Sequence, residues 1–199
     1  VESNENPGTN VSGTSDMNPV KDQLELLKKL FPDVKTVGII YNAAEINSEI
    51  QVNVAKEAAP ELGLEIVEKS VATSADVLQA AQSLVGSVEA IYVPTDNMVV
   101  SAAQSVIQVA NENKIPLIAG ESSVVEKGGL ATVGIIYYDL GKQTGEMAIR
   151  VLEGEDISQM PVERQERFDT IINKDTVELL GITIPEDLAN EATIKSFDE

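Results

Sequence analysis

The sequence predicts an α/β fold built on a doubly wound, mostly parallel sheet. Short strand-like segments recur along the chain: VGIIY (37–41), which is a continuous apolar run, then LEIV (64–67), AIYV (90–93), PLIA (116–119) and LATVGI (130–135). Between them lie segments whose apolar residues repeat at helical spacing. A run that is apolar at every position, rather than at alternate ones, is the mark of a strand buried on both faces. Strands that alternate with helices of this length form parallel sheets with crossover helices.

Residues 1–16, VESNENPGTNVSGTSD, are polar and rich in Asn, Ser and Gly, and read as a loop or a short extended crossing. Asn18 and Pro19 read as the N-cap and first residue of a helix that carries Val20, Leu24, Leu27, Leu30 and Phe31. Pro32 and Asp33 stop it. The next helix is predicted from about Asn47 to Leu62. Ser74 is placed to cap a helix with Val77, Ala81, Leu84 and Val85 on one face. A helix from about Met98 to Glu112 and a short one near 122–127 follow. The last long helix, about 138–153, aligns Leu140, Met147, Ala148, Val151 and Leu152, with Gly154 placed to end it. A strand at about 167–172 and a helix at 174–180 close the ordered part, and the acidic tail, 186–199, is expected to fray.

Charge and composition narrow the function. The chain of 199 residues has a formal net charge of −19, from 33 acidic and 14 basic residues. A surface this acidic repels a phosphate backbone, so nucleic acid is not an expected partner. There is no Cys and no His. Disulfides, Cys/His zinc sites, Cys nucleophiles and Ser-His-Asp arrangements are therefore excluded. No apolar run approaches the roughly 18 residues of a membrane span. Val1 opens a polar stretch rather than a signal peptide, as in a mature form or a fragment.

Ligands of open parallel sheets bind beyond the carboxyl ends of the strands. The residues that follow each predicted strand are therefore the candidates. They are Asn42, Glu45, Asn47 and Ser48 after the first strand, and Thr95, Asp96 and Asn97 after AIYV. Gly120, Glu121 and Ser122 follow PLIA, and Tyr137, Tyr138 and Asp139 follow LATVGI. Each has an ordinary structural reading beside the functional one: Asp96 or Asn97 as a helix cap, Asn47 and Ser48 as a helix start, the tyrosines as half-buried aromatics. Together they bring hydrogen-bonding groups from separate loops to one edge.

Catalytic readings fare poorly. A phosphoreceiver needs an acidic pair after its first strand and a Lys after its fifth; here Tyr41 and Asn42 end the first strand, and no Lys follows the fifth until Lys142. A phosphate loop or dinucleotide fingerprint needs a glycine-rich turn, and NAAEINS has no glycine. A small polar ligand asks for less. A carboxylate such as Asp96 can hold an ammonium group. The helix starts at 47–48 and 97–98 can offer backbone N–H groups to a carboxylate, and tyrosine rings can stack on an apolar side chain. A zwitterionic amino acid would use all of these.

The ordered series GTNVSGTSDM, KDQLELLKKLFPDVKTVGIIYNAAEINS, EAIYVPTDN, ANENKIPLIAGE and GGLATVGIIYYDLGKQTGEMAIRVLEGE resembles the substrate-binding proteins of an ABC importer family. The resemblance runs from about Gly8 to about Ile184. It implies one lobe of a type I periplasmic-binding-protein fold plus one helix of the other lobe. Residues 1–16 would be a crossing, 17–136 the C-terminal lobe, 137–166 a part of the other lobe, and 167–185 the return strand and helix. Most of that other lobe would be missing. The apolar face of the 138–153 helix is then expected to pack on a second copy, fold back, or stay unordered.

What the resemblance implies for function is a non-enzymatic, extracytoplasmic receptor, periplasmic or a cell-surface lipoprotein. It would close its two lobes on an amino-acid-like, possibly aromatic, small molecule and present it to the importer's membrane subunits. No cofactor is implied. The ligand residues implied are Asn42, Glu45, Asn47, Ser48, Thr95, Asp96, Asn97, Glu121, Tyr137 and Asp139. Asp96 would take the ligand amine, and Ser48 its carboxylate. An allosteric small-molecule sensor domain is the alternative class, with no DNA-binding segment visible; a small α/β enzyme or phosphoreceiver is the disfavoured one.

Overall fold

The computed structural model describes residues 1–197. The chain divides into two compact units, one of residues 1–17 and 135–168, the other of residues 18–134 and 169 onward.

The larger unit alternates strands and helices in the predicted order. Its elements are α1 (Val20–Leu30), β2 (Thr36–Tyr41), α2 (Ile46–Ala58), β3 (Glu65–Ser70), α3 (Asp76–Leu84) and β4 (Ala90–Val93), numbered after a short β1 (Thr14–Ser15) in the smaller unit. Then come α4 (Asn97–Ser101), α5 (Ala103–Glu112), β5 (Leu117–Ala119), α6 (Ser122–Glu126) and β6 (Ala131–Ile135). After α7 (Tyr137–Leu152) and β7 (Glu163–Arg164) the chain returns as β8 (Phe168–Asn173), α8 (Lys174–Leu180), α9 (Glu186–Glu191) and β9 (Thr193–Lys195).

The seven-stranded sheet has the order β3-β2-β4-β5-β6-β8-β9. The pairs from β3 to β6 are parallel, in registers such as Ile39↔Tyr92 and Ile118↔Ala131. The runs in β2, β4 and β5 are buried because helices cover both faces of the sheet, whereas LEIV falls in β3, an edge strand that is only partly buried. Ile39, Ile40, Ile91, Leu117 and Ile118 are fully buried. α1 lies beside α2, and α3 beside α5. The stripe Val20, Leu24, Leu27 and Leu30 of α1 is buried, as are Val77, Ala81 and Leu84 of α3. Gly38 lets α3 approach β2: a Cβ there would meet Leu84 Cδ1 at 2.6 Å.

Local signals err at the element ends. α1 starts at Val20 with Pro19 as its N-cap, not Asn18; the Asn18 carbonyl accepts from Val20 N–H. Ser74 does not cap α3. The carboxylate of Asp76 instead accepts from the Thr73 N–H and hydroxyl, in a turn closed from within the helix. The predicted helix from 98 is two, divided at Ala102. The second predicted helix ends in a tighter 3₁₀ turn, Ala59–Leu62, with proline near its start. The tail is not frayed through 197. α9 buries Leu188, and β9 pairs with β8 through Ile172↔Ile194. Asp198 and Glu199 of the predicted acidic tail lie outside the described residues.

In the smaller unit, β1 pairs in parallel with β7 and α7 packs on β1. The 138–153 helix is therefore formed, and Leu140, Met147 and Met160 are buried within that unit. Arg150 reaches Glu163 at 2.5 Å. Leu152 is 86% exposed. Ala148, Val151, Leu152 and Ile157 help line an open apolar recess of about 380 Å³.

The close approach at Gly38 yields a stability prediction. Gly38→Ala forces the packed Leu84 out of its rotamer and costs about 1–3 kcal/mol, as overpacking of a full core does. Urea unfolding checks it; an unchanged midpoint would mean that Leu84 has room to move.

Candidate functional site

The polar edge begins where β2 and β4 end. After β2, Asn42 forms a turn in which its Oδ1 accepts from the Ala44 N–H and its carbonyl from the Glu45 N–H. After β4, Pro94 leads to Asp96, which is fully buried. Asp96 Oδ2 accepts from the Asn42 N–H at 2.6 Å, and Oδ1 from the Val99 N–H at 2.8 Å. One carboxylate thus caps α4 and fastens the turn after β2 to it. A buried carboxylate is tolerated only with such donors, and the positive end of a helix adds to them.

Glu45 completes the cap from the other side. Its carboxylate accepts from Asn97 N–H (3.0 Å), Asn97 Nδ2 (2.8 Å) and Met98 N–H (3.2 Å). Partial burial pushes the Glu45 carboxyl up, but hydrogen bonds from Asn97, Met98 and Asn42 outweigh it and hold it below the ordinary glutamate range. The first N–H groups of α4 are therefore satisfied by protein carboxylates. The expectation that the helix start at 97–98 offers free N–H groups to a ligand carboxylate is corrected by this geometry. The start of α2 differs, for it has no side-chain cap. Ser48 is fully buried there, and its Oγ has no hydrogen-bond partner among the described residues.

Two further bonds lace the loops. Asn47 Nδ2 donates to the Thr95 carbonyl at 2.8 Å. Gln51 donates from Nε2 to Thr95 Oγ1 and accepts from the Thr95 N–H at 3.1 Å. Gln51 escaped the sequence reading. Its signal is a polar residue on the buried stripe Ser48, Gln51, Val52, Ala55 of α2. The turn after β5 joins through Gly120, where a Cβ would lie 2.8 Å from Thr95 N. Only glycine allows this contact between backbones. The next residue, Glu121, is half-buried and accepts from the Ser123 hydroxyl.

The structure therefore brings together Asn42, Glu45, Asn47, Ser48, Thr95, Asp96 and Asn97, with Glu121 beside Gly120. Asn47 and Asn97 are exposed; Asp96 and Ser48 are not. The reading of Asp96 as the ammonium partner meets a carboxylate whose two oxygens both serve backbone N–H groups. Tyr137 and Asp139 stand at the start of α7 in the other unit, both exposed.

This edge presents amides and carboxylates held by one another at the carboxyl ends of parallel strands, the place where α/β proteins of this architecture bind ligands. The chain belongs to the family described as ABC transporter substrate binding protein, which matches residues 1–195. It is 49% identical over 182 residues to the tyrosine-binding protein of Clostridioides difficile (strain R20291), a match that covers 92% of this chain and 53% of that protein. A Streptococcus pneumonia ABC domain solved in complex with L-Trp is 37% identical with a TM-score of 0.90, over 98% of this chain and 68% of that one. The ligand-free, open structure of a substrate binding protein with adhesive properties from Clostridium difficile is 47% identical with a TM-score of 0.82, over 98% of this chain and 66% of that one. The chain spans about half the length of the tyrosine-binding protein and about two thirds of the solved chains.

Two predictions follow from the caps. Asp96→Ala removes the α4 cap and strands the buried Asn42 N–H, so ligand-free protein loses about 2–4 kcal/mol; a denaturation midpoint at the wild-type value would deny the bracing role. Glu45, with its lowered pKa, contributes stability that is complete above the unfolded glutamate value of about 4.3 and lost as pH falls through the folded value. Acid unfolding of wild type against Glu45→Gln should show the wild-type advantage shrinking below about pH 4; a constant gap would contradict it.

Proposed function

We propose that this protein is the extracytoplasmic solute-binding component of an ABC importer and takes an aromatic amino acid at the polar edge of its parallel sheet. The observation that carries the reading is the 49% identity, across 92% of this chain, to a protein named for binding tyrosine. The solved relative holding L-Trp supports the same chemical class. The edge suits a zwitterion recognised by hydrogen bonds, and the acidic surface suits a carrier that stays dissolved and monodisperse.

Within the edge, roles divide by exposure. Asn47, Asn97 and Glu121 meet the ligand; Ser48, buried at the start of α2 with its N–H on the Glu45 carbonyl, keeps its assignment to the ligand carboxylate by resemblance only. Asn42, Glu45, Thr95 and Asp96 hold those groups in place. Tyr137 and Asp139 keep their assignment as ligand residues by resemblance. Residues 17–136 and 167–185 act as the C-terminal lobe, 1–16 as a crossing, and 137–166 as part of the other lobe. The importer's membrane subunits then read the ligand-bound shape, since a ligand that binds one conformation better shifts the population toward it.

Titration calorimetry tests this with L-tyrosine, L-tryptophan and the other eighteen amino acids, on this chain and on a form extended to the full length of its relatives. The extended form should bind an aromatic amino acid, and Asn97→Ala should weaken it about tenfold, the loss of one good hydrogen bond. Folded protein that binds none of the twenty refutes the substrate class.

A further inference from the structure

We propose that Gln23 is a positioning residue for the polar edge, acting through the backbone of Gly120 and Val133; the consequence for ligand rests on the function proposed above. Gln23 lies on the buried stripe of α1, between Val20 and Leu24, and is fully buried. A buried amide is costly unless its groups are bonded. Here they are. Nε2 donates to the Val133 carbonyl at 2.7 Å and to the Gly120 carbonyl at 3.4 Å. Oε1 accepts from the Tyr92 hydroxyl at 2.7 Å. Tyr92 is also fully buried, and burial pushes its hydroxyl far up, so it stays a donor.

The place of these bonds gives them their meaning. β5 and β6 are in register at Ile118↔Ala131, and β5 ends at Ala119. Gly120 and Val133 each lie two residues beyond that pair, where β5 turns away toward α6. The Gln23 amide takes up both carbonyls at this point of separation, while Tyr92 ties the same side chain to β4. Gly120 then passes the position on. Its backbone abuts Thr95, its N–H donates to the Val93 carbonyl at 2.7 Å, and Thr95 is clamped by Gln51 and Asn47. A chain of direct contacts thus runs from the core side of α1 to the exposed Asn47.

Residue-resolved amide hydrogen exchange on this chain tests the proposal, with Gln23→Leu and Tyr92→Phe. The Gly120 and Thr95 amides are both hydrogen-bonded and serve as probes. Gln23→Leu should speed their exchange about tenfold while Ile39 and Ile40 in β2 keep wild-type rates. Tyr92→Phe, which frees only Oε1, should speed the same amides less, and it carries the test alone if Gln23→Leu does not fold. Uniform acceleration through the unit would make Gln23 an ordinary core residue; unchanged rates at Gly120 and Thr95 would also overturn the proposal. The ligand reading is judged apart from this. If the extended wild type binds no amino acid, that reading fails while exchange still decides the positioning role.

Discussion

The structure of the polar edge depends on one buried carboxylate. Asp96 has no basic partner among the described residues and is held by backbone N–H groups alone, from Asn42 and Val99. A charge in that position is unfavourable unless its donors are exact and fixed. One donor, Val99, is in the adjoining helix α4, while the other, Asn42, lies in a turn 54 residues from Asp96 in sequence. The requirement to satisfy Asp96 therefore sets the distance between the end of β2 and the start of α4. Glu45, Asn47 and Gln51 all reach residues 95–98 across that distance, and each could do so only once it is set.

Such an edge is braced by its own hydrogen bonds. Its carboxylates are engaged with N–H donors, so they shape the surface and present the amides of Asn47 and Asn97 at fixed positions. Pre-set groups lose less freedom when a ligand arrives, and this favours affinity. The membership of the chain in a substrate-binding family agrees with this economy of chemistry. It also explains why the glycine at 120 matters. The third turn can join the other two only if its backbone touches that of Thr95.

Much of the fold was legible in the sequence, because a strand buried on both faces must be apolar at every position. VGIIY, AIYV and PLIA needed no context to be read. The misses have distinct causes. Cap residues were misassigned at Asn18 and Ser74 because several polar residues sit near each helix start, and tertiary packing chooses among them. α9 and β9 were missed because acidic composition masked Leu188, which is buried, and Ile194, which pairs with Ile172 of β8. The loops of the site were found from topology, since the carboxyl ends of parallel strands share an edge. What each residue does there was less legible. Asp96 as cap and Asp96 as ligand partner look alike in sequence and differ only in which donors face it. Gln23 and Gln51 left the clearest unused signal, an amide on an otherwise apolar helical stripe.

Asp96 builds the edge, and the proposed function assigns ligand contact to Asn47 and Asn97. The most direct measurement is an NMR titration, on the form extended to the length of its relatives, with L-tyrosine, following the side-chain amides of Asn47 and Asn97 and the carboxyl carbon of Asp96. The account predicts that both amides shift with saturation while the Asp96 carboxyl and its bonds to Asn42 and Val99 stay as they are. A ligand ammonium that displaces those bonds and moves the Asp96 resonance, with the amides unmoved, would contradict it.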